Sequence, residues 1–190
     1  MGSSTLKTLA AASCVALSAG ALLGGCNEKE QGVDEPAREG LALDLGGVEY
    51  NVFITRQLNL KIPPDSAYYN GPEPKKGFTL YGVFLQVCNN GKKARQTASV
   101  FEIEDNQGNK FEPTALPADN AFAYQPRKLL PQTCIPEAGS VAERGPTAGS
   151  MLLFELPLDK TENRPLELKV RRPFDPEQRQ PDELTFELDI

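Results

Sequence analysis

Four cysteines, Cys14, Cys26, Cys88 and Cys134, hold the reactive covalent chemistry of this 190-residue chain, and histidine is absent. Without an imidazole there is no Ser-His-Asp or Cys-His nucleophile pair, no H-E-x-x-H zinc site and no His general base. A redox or metal-binding thiol pair is also unsupported, because no two cysteines stand in C-x-x-C spacing. No metal site and no cofactor are therefore expected. Carboxylates are plentiful, 26 Asp and Glu against 20 Lys and Arg, and two facing ones could hydrolyse a glycoside. No such pair occurs in a recognisable context. The net charge of −6 argues against nucleic acid, whose recognition needs clustered cations facing phosphates.

The first two cysteines sit in an export segment. Met1 to Lys7 holds the amino terminus and one Lys, and Thr8 to Gly25 is uncharged, with Leu9, Val15, Leu17, Leu22 and Leu23. A short positive start, an apolar stretch and then small residues form the layout of a secretory signal. The stretch approaches the length of a membrane span, but it is mostly Ala, Ser and Gly rather than Leu and Ile. Leu23-Gly24-Gly25-Cys26 resembles the lipobox of bacterial lipoproteins: an aliphatic residue, two small ones, then Cys. That resemblance implies cleavage before Cys26, a diacylglyceryl group on its thiol and palmitate-type acylation. Two or more acyl chains would hold the protein stably on a membrane. No twin Arg precedes the apolar stretch, so general secretion is expected.

Cys88 and Cys134 then remain, and two thiols in an oxidising envelope compartment read as one structural disulfide. Chain-entropy arguments assign about 4 kcal/mol to closing a loop of this length. Cys88 ends the most apolar strand, on the parity opposite Val83, Leu85 and Val87, while Cys134 lies in a long connection without strand periodicity. The bridge is therefore expected to pin that connection across the end of the strand. It is not expected to join two sheets through the core.

These groups are positioned by a short tether and by strands. Asn27 to Gly40 is rich in Glu, Gln, Gly, Pro and Asp, with Val33 almost alone as an apolar residue, and reads as a flexible spacer. Beyond it a period of two dominates. Val48, Tyr50, Val52 and Ile54 alternate with polar neighbours, and Phe101 and Ile103 do the same. So do Leu152-Phe154-Leu156, Leu166-Leu168-Val170 and Leu184-Phe186-Leu188-Ile190. Phe78 to Cys88 is apolar on both faces, as a strand covered on two sides must be. Helix is expected only as short turns near Pro117 to Tyr124 and Asp159 to Asn163. The 16 prolines fall between the strand cores, where no ladder donor is lost. The fold class is thus all-β, an antiparallel sandwich. The expected organisation is 1–25 signal peptide, 26–44 lipidated N-terminus and flexible tether, and 45–190 sandwich.

Several segments together resemble a bacterial immunoglobulin-like lipoprotein domain of unknown function, similar to the small secreted immunoglobulin-like antigens of mycobacteria. They are the strand ending Cys88-Asn89-Asn90-Gly91, then Asp105-x-x-Gly108-x-x-Phe111-x-Pro113, Gly149 to Pro157, and Leu166-x-Leu168-x-Val170. The resemblance implies an immunoglobulin-like sandwich and transfers no catalytic residue. The segment Pro63 to Gly77 and the strand after Pro181 depart from that pattern.

Three groups remain. Asp105-Asn106-Gln107-Gly108 has the chemistry of a tight hairpin turn, and it lacks the D-x-D-x-D-G spacing of a calcium loop. Tyr68 and Tyr69 stand in a Pro- and Gly-rich loop. Adjacent rings there form either a binding surface or a cover in which one ring packs on a sandwich end and the other is exposed. Arg171-Arg172 and Lys75-Lys76 are either contacts for anionic lipid or wall polymer, or ordinary solvated charge. The leading expectation is a non-catalytic, lipid-anchored binding module on the extracytoplasmic face of the cell membrane or outer membrane. It meets the membrane through its N-terminal lipid and an envelope protein or wall polymer through its surface. A structural or antigenic envelope lipoprotein without a dedicated ligand is the second reading, and a carboxylate- or Ser-Lys-based hydrolase the third.

Overall fold

Alternating apolar residues bounded by Pro and Gly dictate strands, and the computed structural model, which describes residues 29–172 and 183–190, packs them into a β-sandwich. The signal segment, Cys14 and Cys26 lie outside the described residues. In chain order the strands are β1 (Ala37–Arg38), β2 (Ala42–Asp44), β3 (Glu49–Gln57), β4 (Phe78–Asn89), β5 (Arg95–Gln96) and β6 (Val100–Asp105). They continue with β7 (Lys110–Phe111), β8 (Lys128–Leu129), β9 (Thr133–Ile135), β10 (Ser150–Pro157), β11 (Leu166–Arg171) and β12 (Glu183–Leu188). Two short helices, α1 (Asp65–Tyr68) and α2 (Val141–Arg144), lie in the connections.

One sheet has the order β1-β12-β11-β6-β7 and the other β10-β4-β3-β2, with β9 alongside the end of β4 and a small β5-β8 ribbon. The pairs are antiparallel except β1 with β12. The inner faces supply one core: Tyr50, Val52, Val83, Leu85 and Phe154 meet Ile103, Leu168, Val170 and Phe186. Opposite parity sends Glu102, Glu104, Glu167 and Lys169 to the outer face, where Lys169 lies 3.6 Å from Glu104 and 3.8 Å from Glu167. The antiparallel β-sandwich read from the period-two pattern is the fold observed.

The tether gives way to sheet earlier than the boundary expected at residue 45. Between β1 and β2 the chain passes from one sheet to the other, so two short edge strands need little apolar surface of their own. Glu39 fastens this crossing: its carboxylate accepts from the Thr55 N–H at 3.1 Å and the Asp189 N–H at 3.3 Å. Burial pushes the Glu39 carboxyl above its ordinary range, against these hydrogen bonds.

β4 is covered on both faces, as its composition requires. On its outer side Leu80 and Phe84, with Met151 and Leu153 of β10, form a second core under Leu58, Tyr68, Phe122 and Ala142. Two expectations need correction. A bulge between Val52 and Ile54 shifts the register of β3 against β4, so Ile54 is 40% exposed and Thr55 takes the inward place. Pro117 to Tyr124 and Asp159 to Asn163 form turns, not helices. In the first, Met151 captures the backbone: its N–H donates to the Phe122 carbonyl at 2.6 Å, and its carbonyl accepts from the Tyr124 N–H at 2.9 Å. Helical bonding would forfeit both. α2 forms where the sequence caps it, since the Ser140 hydroxyl accepts from the Glu143 N–H at 3.2 Å and Glu143 reaches back to the Gly139 N–H at 3.1 Å.

Candidate functional site

Cys88 and Cys134 are bonded, 46 residues apart in sequence. They are direct cross-strand partners of β4 and β9, with Cα atoms 4.1 Å apart. The bridge therefore lies within one sheet, as the parity of Cys88 requires. The connection holding Cys134 does contribute a strand, which the sequence pattern had not suggested. β9 is only three residues long, too short for a visible alternation.

Tyr68 is not surface: it is 1% exposed. Its ring meets Phe84 at 4.8 Å and Phe122 at 4.9 Å, both edge-on, and Asn120 Nδ2 donates to its carbonyl at 2.9 Å. Tyr69 is half-buried against the same cluster. A Cβ at Gly71 would lie 2.3 Å from the Tyr69 ring, so the glycine there makes room for it. The pair is a cover for the outer face of β4, and the binding surface expected at Tyr68 is corrected on that ground. Unlike the alternative expected for the pair, the second ring is also partly packed. Both faces of β4 are apolar, so some segment had to supply that cover.

Asp105 closes the β6–β7 hairpin. Its Oδ1 accepts from the Gln107 and Asn109 N–H groups at 2.9 and 2.8 Å, and its Oδ2 accepts from Asn109 Nδ2 and Asn163 Nδ2 at 2.7 and 2.8 Å. Desolvation alone would raise its carboxyl. The four donors outweigh it and hold the carboxyl down at about 2. Every neighbour here presents N–H, so the loop is built as a hairpin lock and not as a cation cage. Arg171 is likewise engaged, 3.3 Å from Glu102 and paired with Glu183.

The most apolar opening among the described clefts lies where the sandwich opens beside β10. It has a volume of about 370 Å³. Its floor is Phe101, Tyr124, Met151 and Leu153, and its rim includes Thr114, Ala115, Leu116 and Gln125. The segment between β7 and β8 makes the walls by touching the β10 edge twice. The Thr114 N–H donates to the Leu153 carbonyl at 2.7 Å, and Tyr124 and Met151 close the other end. Tyr124 is held by a clamp: its hydroxyl donates to the Ala98 carbonyl at 2.9 Å, while the Ala98 N–H donates to the Tyr50 hydroxyl at 2.6 Å. Burial pushes the Tyr124 phenol of the wall upward, and that of Tyr50 behind it up to about 12, so both stay neutral. No titratable pair faces the cleft, and its chemistry is that of shape and apolar contact. A second cleft of about 380 Å³ is polar, lined by Gln57, Asn59, Lys61 and Glu73. Sequence reasoning missed the apolar cleft because its walls come from four separate stretches. The small residues Ala115 and Ala123 among prolines were the available signal.

No family model matches the chain, and no curated protein does. Solved structures similar to it include the ycdA protein of Bacillus subtilis subsp. subtilis str. 168, described as a candidate lipoprotein, with TM-score 0.49 and 13% identity. That match covers 80% of this chain but 38% of the Bacillus one, so the present chain spans well under half its length. The yjhA protein from Bacillus subtilis is similar with TM-score 0.49 and 9% identity, over 80% of this chain and 99% of that one. An uncharacterised β-sandwich protein from Clostridium difficile 630 is similar with TM-score 0.48 and 15% identity, over 85% and 99%.

Proposed function

We propose that the chain is a non-catalytic, lipid-anchored binding module of the bacterial envelope, held by Cys26 on the extracytoplasmic face and taking a small apolar ligand at the cleft beside β10. Two observations support the address: the Leu23-Gly24-Gly25-Cys26 sequence, and a Cys88–Cys134 disulfide of the kind that persists in oxidising compartments. The observation that carries the binding reading is the cleft itself. Its volume of about 370 Å³ falls in the range of small-molecule sites, and Phe101, Met151 and Leu153 give it an apolar floor. Thr114 and Gln125 at the rim supply the few polar groups that would orient a ligand. Among the described residues no Asp, Glu, Lys, Arg or His lines the cleft, which supports a non-catalytic reading of it.

A naphthylamine fluorophore tests it. The folded protein is expected to bind one equivalent, and Ala115→Trp, which fills the mouth from an exposed position, should weaken binding by about tenfold or more, ~1.4 kcal/mol. Binding unchanged by Ala115→Trp would place the fluorophore elsewhere and reject the cleft.

A further inference from the structure

The acidic chain has one end that breaks its charge pattern. From Lys75 to Phe101, and again from Asn120 to Pro136, there is no Asp or Glu, while Lys92, Lys93, Arg95, Arg127 and Lys128 fall within these stretches. The fold brings the stretches together at the end of β4. Asn89 Nδ2 donates to the Lys93 and Leu129 carbonyls at 2.8 and 3.1 Å, and the Gln132 N–H donates to the Asn89 carbonyl at 2.7 Å. Lys92, Lys93 and Lys128 are exposed there. Beside them Leu130 is 63% exposed, on a loop turned outward by Gln132 at φ 59°.

The same end receives the N-terminal segment. Cys88 is the cross-strand partner of Glu49, and Glu49 of Asp44. One residue before Asp44, Leu43 lies against Gly32, whose carbonyl accepts from the Thr185 N–H at 2.8 Å. A Cβ at Gly47 in the turn between β2 and β3 would lie 3.2 Å from Arg95 Nε, so the basic surface reaches this turn. Anions nearby are in part already engaged: Glu35 by Lys29 at 2.5 Å and Glu137 by Arg127 at 2.8 Å. Cys26 precedes Lys29 by three residues, and three residues span at most about 11 Å even when extended. An acyl chain on Cys26 would thus start within reach of this end.

We infer that the Lys92–Lys93–Lys128 end docks on the anionic phospholipid surface of the membrane that holds the anchor, with Leu130 entering the headgroup boundary. The inference rests on the lipid-anchor reading. Lysines near an anionic leaflet attract it within a Debye length, and an exposed Leu among them adds apolar contact. The acyl chain sets the distance, and the lysines set the orientation.

The chain has no Trp, so Leu130→Trp supplies a single reporter at an already exposed position. The acylated full chain carrying it is placed on vesicles with brominated acyl chains, either phosphatidylcholine alone or mixed with phosphatidylglycerol, and flotation is scored in parallel. Quenching is expected on the phosphatidylglycerol vesicles and should vanish at about 1 M salt, where the Debye length is about 3 Å. Changing Lys92, Lys93 and Lys128 to Gln should lower the docked-to-undocked ratio roughly fivefold per lysine. Flotation without quenching, or equal quenching on neutral vesicles, overturns the docking while the anchor stands. Loss of flotation removes the anchor reading and the docking falls with it. Quenching abolished only by added soluble polyphosphate, and insensitive to phosphatidylglycerol, would assign the lysines to a wall polymer and overturn the lipid assignment.

Discussion

On the inner face of the β4–β10 pair, Val83, Leu85 and Phe154 meet strands of the opposite sheet; on the outer face, Phe84, Met151 and Leu153 meet the irregular segments around Tyr68 and Phe122. Both sets are fully buried. The inner set is covered by long-range pairing that defines the sandwich. The outer set is covered by short helices and turns that join β10 only at isolated backbone hydrogen bonds, Thr114 to Leu153 and the Phe122–Tyr124 pair to Met151, rather than along a ladder. Equal burial therefore does not mean equal structural rank. The Pro- and Gly-rich segment from Pro63 to Gly77 adjoins this outer cover, through α1, and so do the walls of the cleft, through Phe122 to Tyr124. The inner core makes the fold, and the outer layer is where this chain shapes its own surface.

The sharpest way to break this comparison is to empty each core once. Phe154→Ala should cost about 3–5 kcal/mol in urea unfolding and threaten the whole sandwich. Tyr68→Ala should cost less, with loss of amide protection confined to residues 58–70 and 116–124 by hydrogen exchange. Global unfolding by Tyr68→Ala would make the outer layer part of the sandwich after all. Replacing both Cys88 and Cys134 with Ser should cost up to about 4 kcal/mol while the sheets still assemble, because the bridge closes a loop within one sheet. Circular dichroism and a urea midpoint together check both halves of that statement. Asp105→Asn probes the far hairpin through pH. The folded carboxyl sits at about 2, below the 3.8 of a free one, so its ionised form stabilises the fold above about pH 4. The wild type should exceed the Asn variant by about 2 kcal/mol at neutral pH, and the gap should close as pH falls from 4 towards 2.

The sequence made the inner core readable and the outer layer opaque for a physical reason. Leu152-Phe154-Leu156 and Leu166-Leu168-Val170 show their inward side by a period of two, and all are buried as read. Ile54 misled because a bulge adds one residue, and an added residue reverses parity without leaving a mark in the residue types. Tyr68 misled because its Pro- and Gly-rich context signals a loop but not the side on which the loop lies. The two-faced apolar character of β4 was the clue that a cover was needed, yet it names no coverer. The cleft was hidden for the same reason: Phe101, Ala115, Tyr124 and Met151 become neighbours only through tertiary contacts. Asp105 was legible, since Asp-x-x-Gly is turn chemistry wherever it falls, although its bond to Asn163 was not.

Everything placed at the membrane depends on Cys26. The direct measurement is the intact mass of the protein recovered from the membrane fraction of cells expressing the full chain, beside Cys26→Ser. The account predicts a wild-type chain that begins at Cys26, carries the added mass of acyl chains and partitions with membranes, while Cys26→Ser does none of these. A wild-type protein recovered soluble and at its unmodified mass would contradict it.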